Sequence, residues 1–272
     1  MNKPHVNFEE YVAKMENSHA NKAIIIPYIK GGNVVDFGAG TGKLAEMIKA
    51  VKPTYRIVAV EKDPAMRDRL HDATGVDNVV ERLDEIYEPV DTIIFNSVLH
   101  EVESYSFNPL KTEIGEDLRL TSSGDLVEVL KESLRILSKG GRIIIRDGFL
   151  DDNNTRFSVR LLNDNFDVNY YIADYPYTGS LNYSGNRIEG EFNEMKEFLN
   201  KLTWGMDSLP REINERINFL NQFQWYQLLE QVGFNVVEAK TYMQPSYFYH
   251  LQKVAELDRV WDTHILIVAE KA

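Results

Sequence analysis

The stretch "VVDFGAGTGKLAEMI", residues 34–48, decides the fold. An apolar run ends at Asp36 and Phe37, glycines follow at alternate positions (Gly38, Gly40, Gly42), and an amphipathic run starts at once. A strand that ends in Gly-x-Gly-x-Gly and turns straight into a helix brings bare backbone and a helix N-terminus against a ligand, where side chains would collide with it. Two phosphate-binding patterns of this kind fail on spacing. A dinucleotide fingerprint needs its last glycine where Lys43 stands, and a P-loop needs glycine at Phe37 and Ser or Thr at Leu44.

Outward from this point, β-branched apolar runs recur at 33–37, 56–60, 78–81, 91–96 and 141–147, each bounded by turn or charge signals, as buried strands are. Helical patterns lie between them, at 42–51, 64–73 and 124–141, the last started by Ser122 or Ser123 and stopped by Gly140 and Gly141. Alternation of this kind predicts an open, mostly parallel, doubly wound α/β sheet whose ligand sits beyond the C-terminal strand ends.

The alternation breaks from Phe149 to about Pro210, a polar and aromatic stretch holding Tyr170, Tyr171, Tyr175, Tyr177 and Tyr183. A structureless loop of that length is improbable in a compact domain, so 149–210 is expected to be an inserted lid on the substrate side, and 1–148 with 211–272 the main domain. Residues 211–234 read as a helix stopped by Gly233, followed by strands at 235–242 and 263–271.

Composition narrows the chemistry. With 272 residues, 43% of them apolar, the chain can fill a sizeable core. Its 42 acidic and 30 basic residues leave a net charge of −12, which counts against nonspecific capture of nucleic acid or acidic membrane. The absence of cysteine removes disulfides, thiolate zinc sites and cysteine nucleophiles. No apolar stretch reaches membrane-spanning length, and the charged N-terminus is unlike a secretory signal, so a cytoplasmic protein is expected. No His-x-x-x-His pair is present, and no required metal is expected.

The string "VVDFGAGTG" resembles the first motif of the class I S-adenosylmethionine-dependent methyltransferases, over roughly residues 30–148 and 211–272. The resemblance implies a Rossmann-like sheet of seven strands with an antiparallel last strand, and S-adenosylmethionine as cofactor. It places Asp36 near the amino-acid part of that cofactor and Gly38, Gly40 and Gly42 beside its methionine and sugar portions. Glu61, directly after the second apolar run and about twenty residues beyond the glycines, would accept hydrogen bonds from the ribose. Asp84 would hold the adenine amino group or else be a solvated helix-start charge, and Asn96 would close the pocket.

Methyl transfer is an in-line displacement, so positioning can supply most of the catalysis and a base is needed only when the acceptor must lose a proton. His100 is the candidate base, with a cofactor or packing contact as its alternative. Glu101 and Asp147 are candidate substrate contacts, Asp147 also being a simple turn former before Gly148. "NSVL" at 96–99 differs from the Asn/Asp-Pro-Pro-aromatic motif of amine and amide methylation. A small organic substrate is therefore expected. The alternatives are RNA or tRNA methylation, with Arg156, Arg160 and Arg187 as a basic patch, and a binding protein that has lost catalysis. An NAD-linked oxidoreductase is more distant, because of Lys43.

Overall fold

The computed structural model of the chain describes residues 19–106 and 124–272, except 153, 163–167, 170, 172–178, 206, 207, 209–211, 214 and 258. Ser122, Ser123, Tyr170, Tyr175, Tyr177 and Pro210 thus lie outside the described residues. The first half alternates strand and helix: β1 (Asn33–Phe37), α1 (Lys43–Val51), β2 (Arg56–Val60), α2 (Pro64–Leu70), β3 (Asn78–Val80), β4 (Val90–Asn96), α3 (Leu99–Ser106), α4 (Gly124–Ile136) and β5 (Leu137–Gly148). There follow β6 (Arg156–Leu161), β7 (Asn182–Ser184), β8 (Arg187–Glu191), α5 (Phe192–Leu202), α6 (Gln222–Val232), β9 (Phe234–Tyr242), α7 (Pro245–Val254), β10 (Ala255–Glu256) and β11 (His264–Lys271).

Seven strands form one sheet in the order β3-β2-β1-β4-β5-β11-β9, with β11 antiparallel to both its neighbours and the first five parallel, as the sequence predicts. Successive side chains of a strand point to opposite faces, and here both faces are covered, which is why the strands read as unbroken apolar runs. Val35, Ile93, Ile143 and Ile265 join the core beneath α4 and α6. Their neighbours Val34, Ile94, Ile144 and Leu266 join the opposite core, with Leu44 and Ile48 of α1.

Two helix boundaries differ from expectation. The helix expected over 124–141 stops at Ile136, because Leu137 is drawn into the ladder opposite Val90 of β4. The helix expected over 211–234 is interrupted at 215–221, and α6 runs over Gln222–Val232. Asn221 and Gln224 form a reciprocal capping box at its start, and Gly233, at φ +114, ends it. Upstream, α5 captures the backbone instead. The Glu197 carboxylate accepts the N–H groups of Ile217 and Asn218, both at 2.9 Å, and Lys201 donates to the carbonyls of Glu212 and Glu215. With those groups satisfied elsewhere, residues 215–221 are not helical despite their periodicity.

A second, antiparallel sheet has the order β10-β6-β8-β7. Its core joins Val159 and Ile188 of the strands to Met195, Phe198 and Leu199 of α5, together with Leu251 and Trp261. The small sheet therefore draws on the connection from β9 to β11 as well as on 149–210. The first connection leaves the large sheet at the C-terminal end of β5, and the second leaves and rejoins it there, since His264 pairs with both Gly148 and Tyr242. Three charged residues of α5, Lys196, Glu197 and Lys201, are buried, and Lys196 donates to the Phe149 carbonyl at 2.8 Å. Among the described residues, no helix is long and apolar enough to cross a membrane.

Candidate functional site

A cavity of about 590 Å³ opens at the C-terminal ends of β1, β2 and β4, within the size range of small-molecule sites. Asp36, Gly38, Gly40, Glu61, Asn96 and Glu101 line it, so the structure brings these expected residues together. Gly42 instead serves packing. At φ +78 it starts α1, and a Cβ there would lie 2.9 Å from that of Ala73. Gly38, at φ +70, is needed for the same reason as well as for any ligand, because its Cβ would meet Val98 at 2.4 Å. Gly40 turns its N–H to Glu61 Oε2 at 2.9 Å, and Glu61 Oε1 accepts from Asp63 N at 2.9 Å. A carboxylate has about four lone-pair positions, so Glu61 keeps capacity for hydroxyl donors.

Asp36 is 2% exposed, and its Oδ2 is buried with no hydrogen-bond partner. Burial pushes its pKa up to about 7; the charge of Lys22 opposes that shift and the charge of Glu61 adds to it. A buried carboxylate oxygen with no donor is costly, and a ligand bearing an ammonium or another strong donor would relieve it. Lys22, which no motif marks, lines the same cavity from the short helix His19–Lys22. Burial lowers its pKa to about 8; the charge of Arg146 adds to the lowering, against Asp36 and Glu101. The donors and acceptors present thus fit an adenosyl group carrying an α-amino acid.

Of the two readings of Asp84, the structure matches the solvated helix-start charge and not the adenine contact. After β3 the chain folds into a short 3-10 turn, where Glu85 accepts the N–H groups of Glu81 and Arg82, and Asp84 turns outward to pair with the Arg82 side chain. Of the acidic residues Glu81, Asp84 and Glu85, Glu81 lines the cavity.

His100 and Asp147 also differ from expectation, since neither lines the cavity. Asp147, 1% exposed, accepts from His100 Nδ1 at 2.7 Å, from the His100 N–H at 3.1 Å and from Gly148 N at 2.8 Å. On the other side of the ring, Nε2 lies 3.8 Å from Glu215. Burial alone would lower the pKa of His100, but the charge and hydrogen bond of Asp147, with Glu101 and Glu215, carry it up to about 10. A pKa raised in this direction favours the imidazolium, a form with no lone pair to accept a proton. His100, Glu101 and Glu215 also bring ligand atoms within 4.8 Å of one another, a grouping invisible in sequence because Glu215 lies so far along the chain.

Three further residues escaped sequence reasoning. Ser97 lines the cavity at φ +58, an uncommon conformation for a residue with a side chain. Its Oγ accepts from Arg146 at 2.6 Å. Arg146, 2% exposed, also bonds Tyr242, Asn96 and Gln244, all neutral acceptors. His264 stands at the same end of the sheet as His100, because antiparallel β11 begins where β5 ends. Burial, then the charges of Arg146, Lys196 and His100, hold its pKa well below the usual value.

Comparison with known proteins agrees with this geometry. The model of a methyltransferase-domain family matches residues 21–239. No curated protein matches by sequence. Among solved structures, the mitomycin 7-O-methyltransferase MmcR is 12% identical with a TM-score of 0.53; the match covers 97% of this chain and 57% of that one. The plantazolicin methyltransferase BpumL, solved with SAH, is also 12% identical with a TM-score of 0.53, over 97% and 88% of the two chains. Bacillus subtilis YcgJ is similar at 12% identity and a TM-score of 0.51, over 93% and 98%. This chain thus spans little more than half the length of MmcR. It belongs to the methyltransferase-domain family, and its fold is that of the class I S-adenosylmethionine-dependent methyltransferases.

Proposed function

We propose that the protein transfers a methyl group from S-adenosylmethionine to a small organic acceptor. The observation that carries this reading is the partnerless carboxylate oxygen of Asp36 at the end of β1, facing a cavity that also holds the glycine turn and Glu61. When bound, S-adenosylmethionine supplies an electrophilic methyl group on sulfur. Asp36 accepts hydrogen bonds from the ammonium group, Glu61 from the ribose hydroxyls and Glu81 from the adenine amino group. The backbone at Gly38 and Gly40 admits the ligand without a side chain in the way. Asn96, Ser97 and Glu101 form the rim toward the acceptor.

His100 acts by charge in this reading. Held between Asp147 and Glu215, the imidazolium fixes the start of α3 beside the rim. Turnover of the wild type at saturating cofactor should accordingly show no rise through pH 6.5, the signature of an ordinary histidine base. The small sheet, joined to the main sheet beside the rim, serves as the substrate-side lid.

A small acceptor is favoured over RNA by the state of the arginines named above. Arg160 pairs with Glu256 at 3.3 Å and Arg156 lies 3.8 Å from Glu189, so the patch is largely neutralised. The test is transfer of a labelled methyl group into a cell extract fractionated into small molecules, RNA and protein. Label in the small-molecule fraction supports the reading. Label in RNA overturns the substrate class, and cofactor binding with no transfer to any fraction overturns the enzymatic role.

A further inference from the structure

Three lysines line the cavity: Lys22, Lys43 and Lys62. Lys43 is ion-paired with Glu46 at 2.8 Å on the outer surface of α1. Lys62 follows Glu61 after β2, at the sugar end. Lys22 differs from both: it lines the cavity together with Asp36, and no described residue bonds its ammonium. The two groups feel each other's charge, yet they do not close into an ion pair. Opposite charges left apart across a cavity, each without a direct partner, match a ligand that carries both signs close together.

We propose that Lys22 anchors the carboxylate of the cofactor's amino-acid end, so that Lys22 and Asp36 together recognise a zwitterion. This rests on the S-adenosylmethionine reading above and adds the residue that selects an intact α-amino acid. The segment bearing Lys22 is fixed well enough to do so. Asn21 Nδ2 donates to Ser246 Oγ at 2.7 Å, at the start of α7. Just beyond, Ile25 is fully buried in the core beside α1, and the Tyr28 hydroxyl donates to Glu238 at 2.8 Å. Arg146, the other cation nearby, is not available for this task, because its guanidinium is engaged by Tyr242, Asn96, Ser97 and Gln244.

The experiment is calorimetric titration of the full chain with S-adenosylhomocysteine and with its decarboxylated analogue, which keeps the amine and lacks the carboxylate. The wild type should prefer the intact ligand by about tenfold or more, the scale of one charge-assisted contact. Lys22→Met should weaken the intact ligand to the level of the analogue while leaving the analogue within about twofold, and Lys22→Arg should keep most of the preference. Equal weakening of both ligands by Lys22→Met would make the residue structural and overturn the proposal. So would a wild type that binds both ligands equally, with the cofactor reading left intact. A wild type that binds neither would overturn the cofactor reading and the anchor with it.

Discussion

Asp36 and Asp147 stand at the same end of the same sheet, at the tips of β1 and β5, and both are almost completely buried. The fold treats them in opposite ways. Asp147 is saturated by two groups of His100 and the N–H of Gly148, and its charge is answered by an imidazolium. Asp36 keeps a buried oxygen with no partner, and burial pushes its pKa up to about 7. A closed network of the first kind fixes a loop, whereas an unanswered charge of the second kind marks the place a ligand must complete.

The largest expected effect comes from filling the space between Asp36 and Glu61. Gly40→Val places a branched side chain at φ +55 beside the cavity, and calorimetry should find cofactor binding abolished while circular dichroism finds the fold retained. Unchanged affinity would remove the cavity from the account. The two aspartates then separate. Asp36→Asn should weaken S-adenosylhomocysteine by about 10- to 100-fold, as loss of a charged acceptor does, and Asp147→Asn by less than about twofold. In the second variant the imidazole signals should titrate at lower pH than in the wild type, because the charge that raises the His100 pKa is gone. Equal effects of the two changes on affinity would erase the distinction between an open and a closed carboxylate.

Smaller changes sharpen it. Glu61→Ala should cost about 1–3 kcal/mol of cofactor binding. Its carboxylate also holds the N–H groups of Gly40 and Asp63, so a loss in melting temperature would accompany the loss in affinity. The smallest effect is proton exchange on binding, read from calorimetry in buffers of different ionisation heat. Asp36, near 7 when free and facing Lys22 and Glu61, is partly protonated at pH 6.5; an ammonium beside it drives the proton off. Lys22, near 8 when free and facing Arg146, Asp36 and Glu101, is partly neutral at pH 8.5, so a carboxylate beside it draws a proton in. Release at the lower pH and uptake at the higher is the expected pattern.

The large sheet was legible because its physics is local. Runs such as "RIVAV" are apolar on both faces of the strand, and β1 and β2 begin and end where those runs do. The glycine turn and Glu61 were legible for the same reason, lying directly after strands. What the sequence hid depends on distant groups. Lys22 reaches the cavity only because the fold sets the N-terminal turn over β1, and Glu215 meets His100 only because α5 captures the chain before α6. The charge state of His100 was equally hidden, since it depends on Asp147, Glu101 and Glu215 arriving around one ring. Asp84 kept two readings because propensity marks a turn without saying which acidic side chain faces inward.

The most direct test of the central claim is titration of the purified chain with S-adenosylhomocysteine and NAD side by side. The account predicts micromolar binding of the adenosyl ligand, weakened about 10- to 100-fold in Asp36→Asn, and no heat from NAD. Binding of NAD with silence from S-adenosylhomocysteine would contradict it.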